Sequence, residues 1–324
     1  MPVIIHLIVN PNAGRRKGLT VADRARTLLE PAGFTVTTHV STYPGHAIEL
    51  AAGIGAELAA RPATGPAAQP SVGAYPAERA GVIALGGDGT LFEVINGLMR
   101  GATGTAYPGA PLPCPVGQIP LGTGNSFIQD LGLSTAEEAI QAILTGRTRP
   151  VDLGTLTCAA GTYSFINCLG AGFVSSVAHR AERYKRFGAL SYVIGVLQET
   201  IALAPGELTL TVDGSRMERE ALFVEICNSR YTGGNMMMAP GARIDDGLLD
   251  VVLMSRTTRR KLLTLFPSIF SGKHVEDPVI EVFRGRSISL RTATPWRLTP
   301  DGETFGSTPI TVGILPAHLE MFCR

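Results

Sequence analysis

The sequence predicts an α/β domain built on a Rossmann-like parallel sheet over residues 1–150, followed by a mostly antiparallel β domain over 151–307. Three observations predict it. Strand-like and helix-like runs alternate through the first half. Glycine-rich loops follow the strands there. From about Val151, short β-rich runs follow one another with turn residues between them. A length of 324 residues is comfortable for two such domains.

Val3–Val9 is a continuous apolar run rich in β-branched residues, which suits a strand buried on both faces. Pro11 and Gly14 break the chain, and Ala22, Ala25 and Leu29 recur at helical spacing. Phe34–Val40 reads as a second strand, and 47–60, rich in good helix formers, as a second helix. Residues 82–85 form a third strand ending in Gly86-Gly87-Asp88-Gly89-Thr90; Leu91, Val94, Ile95 and Leu98 then mark one face of a helix. Val116–Pro120 is a fourth strand, followed by Gly122-Thr123-Gly124-Asn125. Ser134-Thr135-Ala136-Glu137 predicts a capping box that opens a helix burying Ala139, Ile140 and Ile143. Residues 61–80, dense in Ala, Pro and Gly, read as a surface insertion.

In the second half, strands are expected over 162–168, 208–212, 222–227, 249–254, 280–283, 287–290 and 310–312. Helix is expected over 181–202 and 259–270. The pattern fits a sandwich or a barrel.

Composition excludes several classes of function. Apolar residues make up 45% and charged residues 17%, so a packed core is expected. A net charge of +1 supplies no bulk attraction to nucleic acid. Five cysteines without a C-x-x-C pair argue against a disulfide framework or structural zinc and fit reduced thiols. The six histidines form no H-E-x-x-H, and no G-x-S-x-G elbow occurs. Residues 1–10 read as a strand, not a signal peptide, and no run is apolar enough to span a bilayer. A cytoplasmic protein is expected.

Glycines at 86, 87 and 89 allow backbone amides to approach a phosphate, at the positive end of the helix that follows. Asp88 can hold Mg²⁺ directly or through water. Gly122, Thr123 and Asn125 follow the next strand in the same way, and Asn10-Pro11-Asn12-Ala13-Gly14 follows the first. Each loop also reads as a tight turn. Asp301-Gly302-Glu303 offers a loop carboxylate able to accept a hydroxyl proton, though Asp-Gly is also a common hairpin turn. Asp245-Asp246-Gly247-Leu248-Leu249-Asp250 packs three carboxylates into six residues and reads as a cation site or an acidic turn. Met236-Met237-Met238 reads as core or plastic apolar surface. The run 179–187 mixes positive charge with aromatics, as an interfacial helix or a solvated face would.

Taken together, these stretches resemble the diacylglycerol kinase catalytic-domain family, which includes bacterial lipid kinases, sphingosine kinases and ceramide kinases. The resemblance rests on NPNAG at 10–14, YPGHAIELA at 43–51, GGDGTLFEVINGL at 86–98, PLGTGN at 120–125, VDLG at 151–154, FINCLGAGF at 165–173, APGARIDDGLLDV at 239–251 and DGE at 301–303. It implies a nucleotide-binding α/β domain like that of NAD kinases, a C-terminal β-sandwich, and a return of about 308–324 to the first domain. It further implies transfer of the ATP γ-phosphate, with Mg²⁺, to a lipid hydroxyl at a membrane surface, peripheral to its inner face. Partners are then a lipid substrate and no nucleic acid, with a homodimer left open.

Roles carry over by position. Gly86, Gly87 and Gly89 would cradle the phosphates, and Asn10, Thr42 and Thr90 would line the nucleotide with Gly122, Thr123 and Asn125. Asp88 and Asp152 would support the metal, and Asp246 with the Leu248 carbonyl a structural Mg²⁺. Glu303 matches the catalytic base, assisted by Asp301. Ser126 departs from an aspartate common in bacterial members, which removes one carboxylate from around the metal. Ser176 aligns with the aspartate by which sphingosine kinases read a lipid amine, so a neutral glycerolipid such as diacylglycerol is the expected acceptor. An NAD kinase also uses a GGDGT loop, but the DGE and DDGLLD stretches favour the lipid branch. A binding module without catalysis is the remaining alternative.

Overall fold

A computed structural model of the chain describes residues 3–60, 73–74, 80–103, 111–122, 124–182, 190–201 and 204–324. The chain divides into two compact units, one made of Met1–Asp152 with Ala317–Arg324 and the other of Leu153–Pro316.

The first unit is a parallel sheet wrapped by helices. Its strands are β1 (Val3–Val9), β2 (Phe34–Val40), β3 (Gly81–Gly86) and β4 (Val116–Pro120), in the order β2-β1-β3-β4. Register runs from Val3 beside Phe34 to Val9 beside Val40, and Gly86 stands beside Pro120. Ile5, Leu7, Ile8 and Val9 are all fully buried, as the unbroken apolar run requires of a strand covered on both faces. The helices are α1 (Gly18–Leu29), α2 (His46–Ala59), α3 (Asp88–Thr103) and α4 (Ala136–Thr145). The chain steps from β1 one way to β2 and then the other way to β3 and β4. Right-handed crossovers therefore put α1 on one face and α2 and α3 on the other. Strand order reverses at the β1–β3 seam, where ligands of open α/β sheets gather. Met321, near the end of the last strand, pairs in parallel with Val116.

Two strands, β5 (Arg147–Cys158) and β14 (Ile310–Phe322), carry the chain out of this unit and back into it. The second unit adds β6 (Gly161–Phe165), β7 (Cys168–Gly172), α5 (Phe173–Glu182), α6 (Leu190–Ile201), β8 (Gly206–Val212), β9 (Ser215–Cys227), β10 (Leu249–Ser255) and α7 (Arg259–Leu265). It closes with β11 (Ile280–Gly285), β12 (Ser287–Thr292) and β13 (Leu298–Pro300). Pairing is antiparallel throughout β11-β10-β9-β8-β12, and β7 lies between β9 and β13. Side chains alternate across β9 and β10 with the period of two expected of strands. Val224, Ile226, Leu249, Val251 and Leu253 enter one core with Leu210, Ile288 and Leu290. Phe223, Cys227, Val252 and Met254 enter a second with Met236, Met238, Leu262 and Ile269.

The structure corrects several boundaries. The capping box lies one residue later than predicted: Thr135 Oγ1 accepts from Glu138 N–H, and the Glu138 carboxylate accepts from Thr135 N–H. The single strand expected over 162–168 is two, β6 and β7. The predicted helix 259–270 is α7 followed by a 3₁₀ turn, Phe266–Ser271, because Pro267 has no N–H to continue the α ladder. Strand β5 begins four residues before Val151, and α5 begins well before the helix expected over 181–202. Most of 61–80 and part of 180–186 lie outside the described residues.

Candidate active site

The three loops singled out in the first half, and Thr42, all leave the C-terminal edge of one parallel sheet. Asn10 follows β1, Thr42 follows β2, Gly87 follows β3 and Gly122 follows β4. Across the β1–β3 seam, Asn10 Nδ2 donates to Thr90 Oγ1 at 3.4 Å, and Asn12 N–H donates back to Asn10 Oδ1. Thr42 N–H donates to His46 Nδ1 at 3.1 Å, fixing the β2–α2 corner. Gly89 and Thr90 lie in the first turn of α3, so amides at its positive end line the same edge.

The two glycine loops touch. A side chain on Gly122 would bring a Cβ to 2.8 Å from Gly87 Cα, and one on Gly86 would collide with Thr90 Oγ1 at 2.2 Å. Only glycine permits this approach. Asn125, in a left-handed conformation (φ 48°), clasps the second loop: Gly122 N–H donates to its Oδ1 and its Nδ2 donates to Gly122 O. Thr123 lies outside the described residues.

Asp88 sits beneath these loops. Its Oδ2 accepts from Ser126 N–H at 2.9 Å, so Ser126 contributes its backbone to the Asp88 carboxylate. Its buried Oδ1 makes no hydrogen bond of normal length, although the Gln118 side-chain amide, the Phe127 N–H and the Ser126 hydroxyl all act on the carboxylate. Burial raises the Asp88 acid above its ordinary value, opposed first by the Ser126 N–H. A buried carboxylate oxygen short of hydrogen bonds, beside two glycine loops, fits a divalent cation or its water. Asp152 is also buried and its Oδ1 accepts from Ala317 N–H at 2.7 Å.

In the second unit, Asp301 and Gly302 both have positive φ (49° and 88°), and Glu303 N–H donates to Pro300 O. This is the primed hairpin turn that Asp-Gly favours. The Asp301 carboxylate is fully engaged within it. Oδ1 accepts from Asn167 N–H (2.8 Å) and Cys168 N–H (3.2 Å), and Oδ2 from Ile166 N–H (2.9 Å). Those bonds replace ladder pairing and break the expected 162–168 strand in two. Asp301 is thus a clamp on the β6–β7 bend, and Glu303 is the half-buried carboxylate that follows the turn.

A cavity of about 90 Å³ opens beside this turn, walled by Phe173, Val177, Met236, Met254, Phe266 and Gly302 among others. Met236 and Met238 both line it, consistent with the plastic apolar surface read from the Met run. Ser176 faces a separate polar cleft with His179, Arg180, Glu199 and Arg297, while Val174 and Val177 face the apolar cavity. Glu225 also lines the apolar cavity and escaped the sequence reading. A lone carboxylate inside Leu222-Phe223-Val224-Glu225-Ile226-Cys227 was the available signal.

Asp246 does not offer an open carboxylate. Oδ1 accepts from Leu248 N–H at 3.1 Å and Oδ2 from Arg284, which also reaches Asp250. The guanidinium there supplies the positive charge that a cation would bring. Among the described residues, no group of three or more His, Cys, Asp or Glu is arranged to hold a metal ion.

Residues 5–156 match the model of the diacylglycerol kinase catalytic domain, and 167–323 match the YegS C-terminal NAD kinase beta sandwich-like domain. A diacylglycerol kinase of Mycobacterium tuberculosis is 31% identical over 245 residues, covering 74% of this chain and 75% of the relative. The chain belongs to the diacylglycerol kinase family. A diacylglycerol kinase of Bacillus subtilis is 26% identical over 309 residues, covering 94% of this chain and 90% of the relative. The crystal structure of a diacylglycerol kinase from Bacillus anthracis superposes over 100% of this chain and 97% of that one, with a TM-score of 0.69 at 20% identity, and shares its fold. The second unit of this family member is therefore a β-sandwich, resolving the choice between sandwich and barrel. No helix among the described residues is long and apolar enough to cross a membrane.

Proposed function

We propose that this lipid kinase transfers the γ-phosphate of ATP to the hydroxyl of a glycerolipid, diacylglycerol or a close relative, with Glu303 as general base. One observation carries the reading: the apolar cavity of the second unit is bounded by Gly302, the residue before Glu303. An acyl chain held by Phe173, Val177, Met236 and Phe266 leaves its polar end at the turn that bears the carboxylate. A carboxylate there takes the proton as the alcohol oxygen attacks phosphorus. A soluble dinucleotide would gain little from so apolar a wall, which disfavours an NAD kinase.

The first unit binds ATP in this reading. Amides of the Gly86–Thr90 and Gly122–Asn125 loops and the start of α3 donate to phosphate oxygens, and Asn10, Thr42 and Thr90 line the nucleotide. Mg²⁺ bound with the nucleotide neutralises charge on those oxygens. Asp88 and Asp152 are the residues that would hold it. The enzyme meets its lipid at a membrane surface, and the exposed Leu197, Ile201, Leu263 and Phe270 suit that contact, with Arg259 held against Ile201 O.

The test is transfer of labelled γ-phosphate to lipid in mixed micelles, with and without Mg²⁺. Glu303→Gln is expected to lower kcat at least about 100-fold with an unchanged melting temperature. Wild-type turnover by that variant would remove Glu303 from the chemistry.

A further inference from the structure

Glu225 is a carboxylic acid on the wall of an apolar cavity, only 5% exposed. Three paired strands set its surroundings. Glu225 on β9 pairs with Gly170 on β7, and Gly170 pairs with Thr299 on β13. Directly paired residues share a face, so Glu225 and Thr299 flank Gly170 on the cavity side. With no side chain at Gly170, Val174 packs over the strand between them, its Cγ2 2.9 Å from where a Cβ would stand, and Glu225 and Thr299 reach the cavity on either side of it. A Cβ added at Gly170 would stand 2.8 Å from Thr299 Oγ1 and 3.7 Å from Glu225 Oε2. Ser175 Oγ hydrogen-bonds with Thr299 Oγ1. The result is a polar strip in an apolar cavity, one strand step of about 6.7 Å from the turn at 301–303.

The other groups facing Glu225 do not neutralise it. The Thr232 hydroxyl hydrogen-bonds to it, and the thiols of Cys168 and Cys227 lie nearby. His274 lines the cavity with Nε2 against Met238 O, and burial lowers its pKa, so it favours the neutral ring. Among the described residues lining the cavity there is no lysine or arginine. A buried carboxyl with so few protein partners suits a ligand that brings a donor to it.

Resting on the lipid-kinase reading above, we propose that Glu225 and Thr299 select an acceptor lipid carrying a free hydrogen-bond donor, hydroxyl or amine, beside the hydroxyl that is phosphorylated. Diacylglycerol has an ester at that position and cannot donate. A monoacylglycerol has a hydroxyl there, and a sphingoid base an amine. Ser176, facing another cleft, takes no part in this choice. The account places the reacting hydroxyl at Glu303 and its neighbouring donor at the strip. Glu225 is a specificity residue in this account and Glu303 the base.

The test measures kcat/KM at pH 8, where Glu225 is ionised and only accepts, with labelled ATP for monoacylglycerol, diacylglycerol and sphingosine of matched chain length, in wild type, Glu225→Gln and Glu225→Leu. Wild type is expected to prefer a donor-bearing lipid to diacylglycerol. Glu225→Leu should lower that ratio about 10- to 100-fold while diacylglycerol turnover persists. The amide of Glu225→Gln still accepts from a hydroxyl but does not match an ammonium charge. Loss on sphingosine in both variants therefore assigns the amine as donor, and loss on monoacylglycerol in the Leu variant alone assigns the hydroxyl. A ratio unmoved by Leu, or wild-type preference for diacylglycerol, overturns the proposal and leaves the kinase reading intact. Transfer to no lipid overturns both. Should the Leu variant fail to fold, Glu225→Met, which keeps the chain length without an acceptor oxygen, takes its place, and ratios to diacylglycerol equal to wild type on both lipids overturn the proposal.

Discussion

Replacing Asp301 with asparagine separates clamp from catalyst. In the native turn, three backbone N–H groups donate to the two carboxylate oxygens, at 2.8, 2.9 and 3.2 Å. Asparagine keeps one oxygen, enough for Asn167 and Cys168, and turns an NH₂ toward Ile166 N–H. One charge-assisted bond becomes a donor facing a donor, at a cost of about 1.5–3 kcal/mol. The other two lose their charge and roughly half their strength. The total is about 3–6 kcal/mol. For a unit of the size of Leu153–Pro316, that lowers the melting temperature by at least about 6 °C. Thermal unfolding and single-turnover phosphoryl transfer should be run on Asp301→Asn beside Glu303→Gln. The first variant is expected to lose stability, with activity falling in step; the second should lose activity alone. Asp301→Asn melting within about 1 °C of wild type, with kcat collapsed, would refute the clamp and put Asp301 in the chemistry.

Gly122→Ala drives a methyl to 2.8 Å from both Gly87 Cα and Asn125 Oδ1 and should raise the ATP KM about 10-fold or more, leaving the lipid KM unchanged; an unaltered ATP KM would contradict the phosphate cradle. Burial holds the Glu225 acid up to about 7 against an ordinary 4.5, so the folded state keeps a proton that the unfolded chain has shed. Stability should therefore fall by about 3 kcal/mol as pH rises from below 4.5 to above 7. Glu225→Gln should flatten that slope in urea titrations at pH 5 and pH 8, and equal slopes would show Glu225 to be well solvated. Arg284→Gln leaves Asp246 and the buried Asp250 without their guanidinium and should cost about 2 kcal/mol near neutral pH. Burial raises the Asp250 acid and Arg284 holds it down, so the cost should shrink as pH falls and the carboxylates take up protons. Millimolar Mg²⁺ should stabilise this variant more than wild type, read by calorimetry.

The first unit was legible because its cues are local. Val3–Val9 announces a strand covered on both faces, and Gly86-Gly87-Asp88-Gly89-Thr90 can hardly serve as an ordinary turn between an apolar run and an amphipathic one. The contact of Gly87 with Gly122 was inferable as two loops at adjacent strand ends, though its closeness was not. The second unit hid more, because its meaning lies in pairing across distant strands. Asp301 looked like a partner for Glu303 until the amides of 166–168, some 135 positions earlier, were found to hold it. Glu225 read as part of an apolar strand, since nothing in Val224-Glu225-Ile226 tells which of two cores each side chain enters. Ser176 was aligned as a head-group contact, but the turn of α5 gives the cavity to its neighbours Val174 and Val177.

The first unit is completed by residues made more than 150 positions after Asp152. Phe322 lies over Gly81 and Gly117, Cys323 N–H donates to Arg147 O, and Arg324 N–H donates to Leu131 O. During synthesis, the nucleotide-binding sheet waits with one flank bare while the whole intervening sandwich is translated. At about 5–20 residues per second, that interval is on the order of ten seconds. The ribosome therefore delivers a finished sandwich before a finished sheet, and the exposed edge of β4 is the surface a chaperone would have to guard in the meantime.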